Sequence, residues 1–193
     1  MNIVPPSTAT EWHGFLRSYS SEFPDSAFMR DMTEDGRADQ FLSAAQRSAG
    51  WLGYEPASED EILAAEQRLG VRLPPTYRNF LLTSNGWNTI SYAVDLLTAD
   101  EIGWFPALES ELMAAWSGSS FDELFPMLER CLLVSNDDGG SGQYLLLHAA
   151  DVAANGEWTA YEWWPGDGDD PERYDNFAVL IAGLWKSAVE SDQ

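Results

Sequence analysis

Basic residues are scarce in this chain. Ten Lys and Arg face 32 Asp and Glu, a formal net charge of -22 at pH 7. A surface of that sign argues against nucleic acid as a partner, because binding it requires Lys and Arg to displace counterions from phosphates. It argues equally against an anionic membrane. A basic protein is what such a field attracts and steers; the competing reading is that the acidity only keeps the chain dissolved. Cysteine is almost missing. Cys131 stands alone in the apolar run LERCLLVS, so no disulfide can form within the chain, and a lone buried thiol fits a reducing cytoplasm. No apolar run approaches the ~20 residues that span a bilayer. MNIVPPSTATEW has neither the basic nor the apolar region of a secretory leader. The expectation is a cytoplasmic protein.

Histidine is nearly as rare, with His13 in a helical pattern and His148 in a strand pattern. Neither has a nucleophile at a telling spacing, and a thiol inside an apolar strand is inert rather than reactive. There is no Cys/His cluster for zinc. Asp137-Asp138-Gly139 and Asp167-Gly168-Asp169-Asp170 look superficially like calcium loops, but in the second the sixth position is Glu172, where that turn requires glycine. NDDGGSG, from Asn136 to Gly142, is glycine-rich, yet Asp137 and Asp138 would repel a phosphate and no Lys or Arg follows. It reads as a hairpin turn. The chain is expected to be no enzyme and to hold no metal and no cofactor.

What is present is apolar bulk. Of 193 residues, 45% are hydrophobic and 13% aromatic, with nine Trp, enough for a sizeable core. Thr8 and Glu11 form a capping box before a helical face of Trp12, Phe15, Leu16 and Tyr19. Ser21 to Gly36 is polar and reads as a loop with at most a short turn. Phe41 to Ala49 reads as a short helix closed by Gly50. TISYAVDLL has strand character, with Ile90, Tyr92 and Val94 alternating. Thr98 and Glu101 form another capping box, opening a short helix that carries Ile102 and Trp104. Pro106 interrupts it, Ala107 to Trp116 continues helically, and Phe121 to Leu128 adds a brief helical region. The last third changes period. Residues 131–135, 142–148 and 157–164 read as consecutive strands of an antiparallel meander. PGDGDDPE, 165–172, reads as an acidic loop. Phe177, Leu180, Ile181, Leu184 and Trp185 describe a closing amphipathic helix. Helices, then a small sheet, then a helix give an α+β single domain with a central, mainly antiparallel sheet flanked by helices.

Ser58 to Gly86 is the most regular stretch. Ser58 and Glu61 cap a helix whose face is Ile62, Ala65, Glu66 and Leu69, and Gly70 closes it. Pro74-Pro75 opens a second helix with Tyr77, Phe80 and Leu81 on one face, ended by Asn85-Gly86. The ordered set Glu66, Leu69, Gly70, then Leu73, Pro74, Tyr77, Arg78, Phe80, Leu81, then Asn85 and Gly86, then Ile102 and Trp104, resembles the SUKH superfamily of Smi/Knr-type and Syd-like proteins. The resemblance covers residues 51–193. Residues 1–50 lie outside it and are expected to form an N-terminal helical elaboration packed on the core. What the resemblance implies is an α+β scaffold whose bacterial members are like immunity proteins that bind and neutralise toxin domains, often nucleases, while fungal members are scaffolds in cell-wall signalling. It implies no catalytic residues.

The acidic stretch supplies the candidate site. Between Arg130 and Lys186 the one cation is Arg173, whereas Asp137, Asp138, Asp151, Glu157, Glu162, Asp167, Asp169, Asp170, Glu172 and Asp175 all fall there. Trp163 and Trp164 adjoin the acidic loop, and strand alternation turns one of them away from the core. An exposed Trp ringed by carboxylates suits a protein interface, because aromatic anchors carry interface energy and charge steers encounter. The expected partner-binding residues are Asp137, Asp138, Glu162, Trp163, Trp164, Asp167, Asp169, Asp170 and Glu172. The bland alternative buries both Trp and leaves the loop merely solvated. The expected function is neutralisation of a toxin domain, a basic nuclease; the alternative is an intracellular scaffold of the Smi/Knr kind.

Overall fold

The computed structural model describes residues 3–91, 94–136 and 142–190. Several helix starts fall where the sequence offers a cap. Thr8 and Glu11 form a reciprocal box at the start of α1 (Ala9–Glu22), whose buried face is Trp12, Phe15, Leu16 and Tyr19. A 3-10 turn, Phe23–Asp25, leads into α2 (Ala27–Glu34), capped by Ser26. α3 (Ala38–Phe41) and α4 (Ala44–Ala49) follow, the latter boxed by Ser43 and Gln46 and closed by Gly50. Ser58 and Glu61 box α5 (Glu59–Leu69), and Gly70, at φ 73, ends it with the left-handed residue that terminus favours. α6 (Pro75–Leu81) starts on a proline.

The chain then runs through β1 (Trp87–Ser91), β2 (Val94–Leu96), β3 (Gly103–Trp104), α7 (Phe105–Leu108), α8 (Ser110–Trp116), a 3-10 turn Ser120–Leu124 and α9 (Phe125–Leu128). β4 (Cys131–Leu133), β5 (Ser135–Asn136), β6 (Tyr144–Val152), β7 (Trp158–Trp163), a 3-10 turn Pro165–Asp167, β8 (Glu172–Tyr174) and α10 (Phe177–Glu190) complete it. All strand pairs are antiparallel, in the orders β3-β4-β6-β7-β8 and β1-β2-β5. One extended run from Cys131 to Asn136 joins the two sheets. At its middle the Val134 N–H donates to Leu145 O at 3.0 Å, while Val134 O accepts from Leu97 N at 3.0 Å.

Two layers cover the five-stranded sheet. Its inner face, with Leu132, Val134, Leu145, Leu147, Trp158 and Ala160, shares one apolar cluster with α1, α5, α6 and α10. Its outer face, with Cys131, Leu133, Leu146 and Trp163, lies under Phe105 and Leu128 and the partly buried Leu112, Met113, Trp116 and Phe121. This is an α+β fold. α1 sits deep in the inner cluster: the Trp12 ring lies 5.3 Å from Phe80 and 5.6 Å from Phe177, and its Nε1 donates to Thr76 O at 3.0 Å. The Tyr19 hydroxyl donates to Thr89 O at 2.9 Å, bracing a β1 irregularity where Thr89 takes φ 50.

Several readings of the sequence change. Phe41 to Ala49 is not one helix: Phe41 ends α3, Leu42 is extended and Ser43 caps α4. Residues 21–36 contain α2, because Ser26 accepts from Met29 N and the half-buried Phe28 and buried Met29 anchor an otherwise polar segment. TISYAVDLL is not one strand; it holds parts of two, β1 and β2, paired antiparallel with Ser91 opposite Val94, and Tyr92 and Ala93 lie outside the described residues. Thr98 and Glu101 form half a box, with Thr98 N donating to Glu101 Oε2 at 3.0 Å, but Glu101 N donates to Thr98 O and only a turn follows. Gly103 and Trp104 instead pair with Leu133 and Leu132 as a strand, since sheet edge bonding outweighs one turn of helix. Glu172, expected in a loop, begins β8 opposite Glu162.

Candidate functional site

β7, β8 and their connection form one end of the sheet. Trp163 points outward from the sheet into the second apolar cluster and is 1% exposed. Its ring lies 5.2 Å from Trp116, 5.8 Å from Phe121 and 6.3 Å from Phe105. Trp163 is therefore core, a correction to its expected place at a partner surface. Alternation was the right signal, but it assumed one open sheet face, whereas the segment from α7 to α9 roofs the face that Trp163 occupies. The Trp163 Nε1 donates to Asp169 O at 3.3 Å, so the buried ring also holds the acidic loop against the sheet.

Trp164 is half-buried and remains at the surface. Its indole Nε1 donates to Glu162 Oε1 at 2.9 Å. The same carboxylate accepts from the buried Gln143 Nε2 at 2.5 Å and from the Tyr174 hydroxyl at 3.2 Å. Glu162 is thus half-buried and tied to three donors, which fixes the Trp164 ring instead of offering a free charge. Burial, followed by the nearby Glu162 and Glu172 charges, raises the Tyr174 hydroxyl above its ordinary value. Gln143 and Tyr174 were missed in the sequence. Gln143 had a visible signal, since it shares the inward parity of Leu145 and Leu147.

Pro165–Asp167 makes the turn that leaves β7, and Gly168, at φ 76, closes it. Asp167, Asp169, Asp170 and Glu172 are all exposed. Asp167, Asp169 and Asp170 have no ion pair among the described residues. Asp137 and Asp138 lie outside the described residues, while Tyr144, just after that connection, pairs with Trp163. Arg173, the cation of this region, is drawn back over the outer sheet face. It reaches Thr159 Oγ1 at 3.1 Å and Asp151 Oδ2 at 3.3 Å, and Thr159 donates to the same Asp151 oxygen at 2.7 Å. The Thr159 and Arg173 hydrogen bonds hold the Asp151 carboxyl below its usual range.

Glu157 leaves the acidic surface altogether. It is 5% exposed and accepts from Thr76 N at 2.9 Å and Thr76 Oγ1 at 2.7 Å. Pro74 and Pro75 give α6 no side-chain cap of its own, so a carboxylate from the β6–β7 hairpin satisfies its first turn. Beside it a cleft of about 550 Å³ is lined by Arg72, Pro75, Arg78, Asn155 and Trp158.

Of the residue types that could do chemistry, Cys131 and His148 stand opposite each other in the register of β4 and β6, while His13 lies on α1. Burial pushes the Cys131 thiol up to about 12, and its S–H donates to Met127 Sδ at 3.2 Å. His13 is exposed and stacks on Trp51 at 5.6 Å. Burial lowers the His148 pKa, partly offset by Asp151. Among the described residues no group of three His, Cys, Asp or Glu is placed to hold a metal ion.

The regular stretch of the sequence forms a hydrogen-bonded clasp. Glu66 Oε1 accepts from Leu73 N at 2.9 Å and from Arg78 Nε at 3.0 Å, and Arg78 also reaches Glu59 at 2.7 Å. Leu69, Leu73, Pro74, Tyr77 and Phe80 are buried. Asn85 Oδ1 accepts from Ala99 N at 2.8 Å, and Gly86, at φ 98, lets Leu96 O approach to 2.8 Å from where a Cβ would stand. Trp104 is half-buried against the inner cluster. The model of the SMI1 / KNR4 family (SUKH-1) matches residues 56–183.

The chain belongs to the SMI1/KNR4 family.

The family match spans α5 through the first half of α10, so both the clasp and the acidic sheet end lie within the SMI1/KNR4 region, whereas α1 to α4 precede it. No curated protein matches the chain. Among the described residues no helix of this SMI1/KNR4 protein is long and apolar enough to cross a membrane.

Proposed function

We propose that this protein is an immunity-type binding protein that neutralises a cognate toxin domain, a basic nuclease, without catalysis or a cofactor. The observation that carries this reading is the sheet end itself: Trp164 pinned at the surface by Glu162, beside the exposed Asp167, Asp169, Asp170 and Glu172. A fixed aromatic beside exposed like charges supplies an anchor and a steering field together. Asp137 and Asp138 are assigned to the same surface on sequence grounds. Residues 1–50 are taken as an elaboration on the domain formed by 51–193, since Trp12, Phe15 and Tyr19 join its apolar cluster. A cytoplasmic location suits a protein that intercepts a toxin after entry.

The test is calorimetry and co-expression with the toxin domain encoded beside the gene. Tight association that weakens with salt, together with survival of cells expressing the toxin, is expected. Absence of both removes the reading. The family's SMI1/KNR4 description favours a second one, an intracellular regulatory scaffold using the same surface on an endogenous basic protein. An isolated gene context with an endogenous partner recovered on that surface would select it.

A further inference from the structure

We infer that the partner is captured in part by strand addition: an extended basic segment pairs with the free edge of β8, continuing the five-stranded sheet. The inference rests on the reading of this sheet end as a partner surface and specifies how that surface binds. β8 ends the order β3-β4-β6-β7-β8, and its register with β7 is Glu162 to Glu172, Tyr161 to Arg173 and Ala160 to Tyr174. In an antiparallel edge strand every second residue turns its N–H and C=O away from the sheet, a template for another strand.

Three features decide the occupant. The cation on β8 is engaged, because Arg173 is held by Asp151 and Thr159 on the outer face and pairs with Asp175 at 3.8 Å, leaving exposed Glu172 and the adjoining Asp169 and Asp170 to set the sign of the edge. An apolar step lies beside it. A Cβ at Gly183 of α10 would stand 3.1 Å from the Tyr174 ring, and Val179, four residues earlier on that helix face, is half-buried like Tyr174. An added strand would rest its inward side chains on this step and pair its cations with the carboxylates. A second copy of this chain fits badly. Antiparallel pairing of two β8 strands about Arg173 would set Arg173 against Arg173 and bring two chains of net charge -22 together. The charges that guard the edge against self-association therefore select for a strand of opposite sign.

The probe is a blocked peptide of alternating lysine and valine, titrated into the full chain at low and high salt while backbone amides are followed by NMR. Perturbation and slowed hydrogen exchange at residues 172–174 are expected. Two controls accompany it: the same peptide N-methylated at alternate residues, and its glutamate counterpart. Each should bind about tenfold more weakly or worse, the first because it cannot extend the ladder and the second because it is repelled. No binding, equal binding by the N-methylated peptide, or protection at another edge such as β1 would overturn the inference. Toxin protection is scored separately. A chain that pairs with the peptide at β8 but protects no cells keeps the edge and loses the immunity reading. One that protects cells without pairing loses the edge alone.

Discussion

Glu157 shows how much one side chain can carry here. Its carboxylate is the cap that α6 lacks, supplied from 81 residues further along the chain. Glu157→Ala leaves two buried donors unmet and should cost about 2 kcal/mol in a denaturant melt, with Glu157→Gln losing less because an amide oxygen still accepts. Tyr77 and Phe80 answer a different question. Both are fully buried and their rings pack on Phe177 at 4.7 and 5.3 Å. Phe80→Ala and Tyr77→Ala should each cost about 3–5 kcal/mol. Tyr77→Phe should go the other way, gaining up to about 1 kcal/mol, because the buried hydroxyl has no partner among the described residues; a loss of similar size would reveal one. Glu11 sets an acid limit. Bonds from the Ser7 hydroxyl and amide, then from Thr8, hold its carboxyl down at about 2. A depressed carboxyl stabilises the fold above its unfolded value of 4.5 and loses that contribution as pH falls toward about 2. Glu11→Gln should flatten this part of the melting-temperature profile, its loss of stability showing above pH 4.5 and fading as pH falls toward about 2.

At the scale of elements, the acidic loop and β8 should separate binding from stability. Reversing Asp167, Asp169 and Asp170 to Lys changes exposed positions and should leave the melting temperature nearly unchanged, since each such change is worth within about 0.5 kcal/mol. Partner affinity should fall, and its salt dependence with it; unchanged affinity would remove this loop from the interface. Which elements the sequence revealed follows from the range of the forces involved. α1, α5, α6 and α10 are written locally, in capping boxes, closing glycines and helical spacing, and the meander of β4, β6 and β7 is written in its alternation. β3 and β8 are not, because strands of two and three residues exist only by pairing with Leu132 and Leu133 or with Ala160 to Glu162. For the candidate site, the acidity of residues 162–172 was legible as composition. Apart from the Trp164 bond to Glu162, two positions away, the burial of Trp163, the tie on Glu162 and the withdrawal of Glu157 and Arg173 depend on residues 6 to 81 positions away, and no local pattern encodes them.

At the scale of the whole molecule, charge and core are segregated. The net charge of -22 is carried at the surface, while the inner cluster gathers α1, α6 and α10 around aromatic rings from both ends of the chain. Trp12 touches Phe177, Phe15 lies 4.6 Å from Trp185, and Trp185 Nε1 donates to Glu22 at 3.2 Å. That arrangement has a consequence for how the protein is made. During translation the first helices emerge long before the residues that cover them, and α6 waits for the β6–β7 hairpin to cap it. We therefore expect no stable intermediate on the ribosome. A chain stalled before Phe177 should be cut by protease throughout α1 and α6, whereas release of the last helix should confer resistance in a single step. Stepwise resistance along a series of stalled chains would contradict this. If it holds, any binding surface becomes available only when α10 has left the ribosome, and the time between synthesis and activity is set by the arrival of that helix.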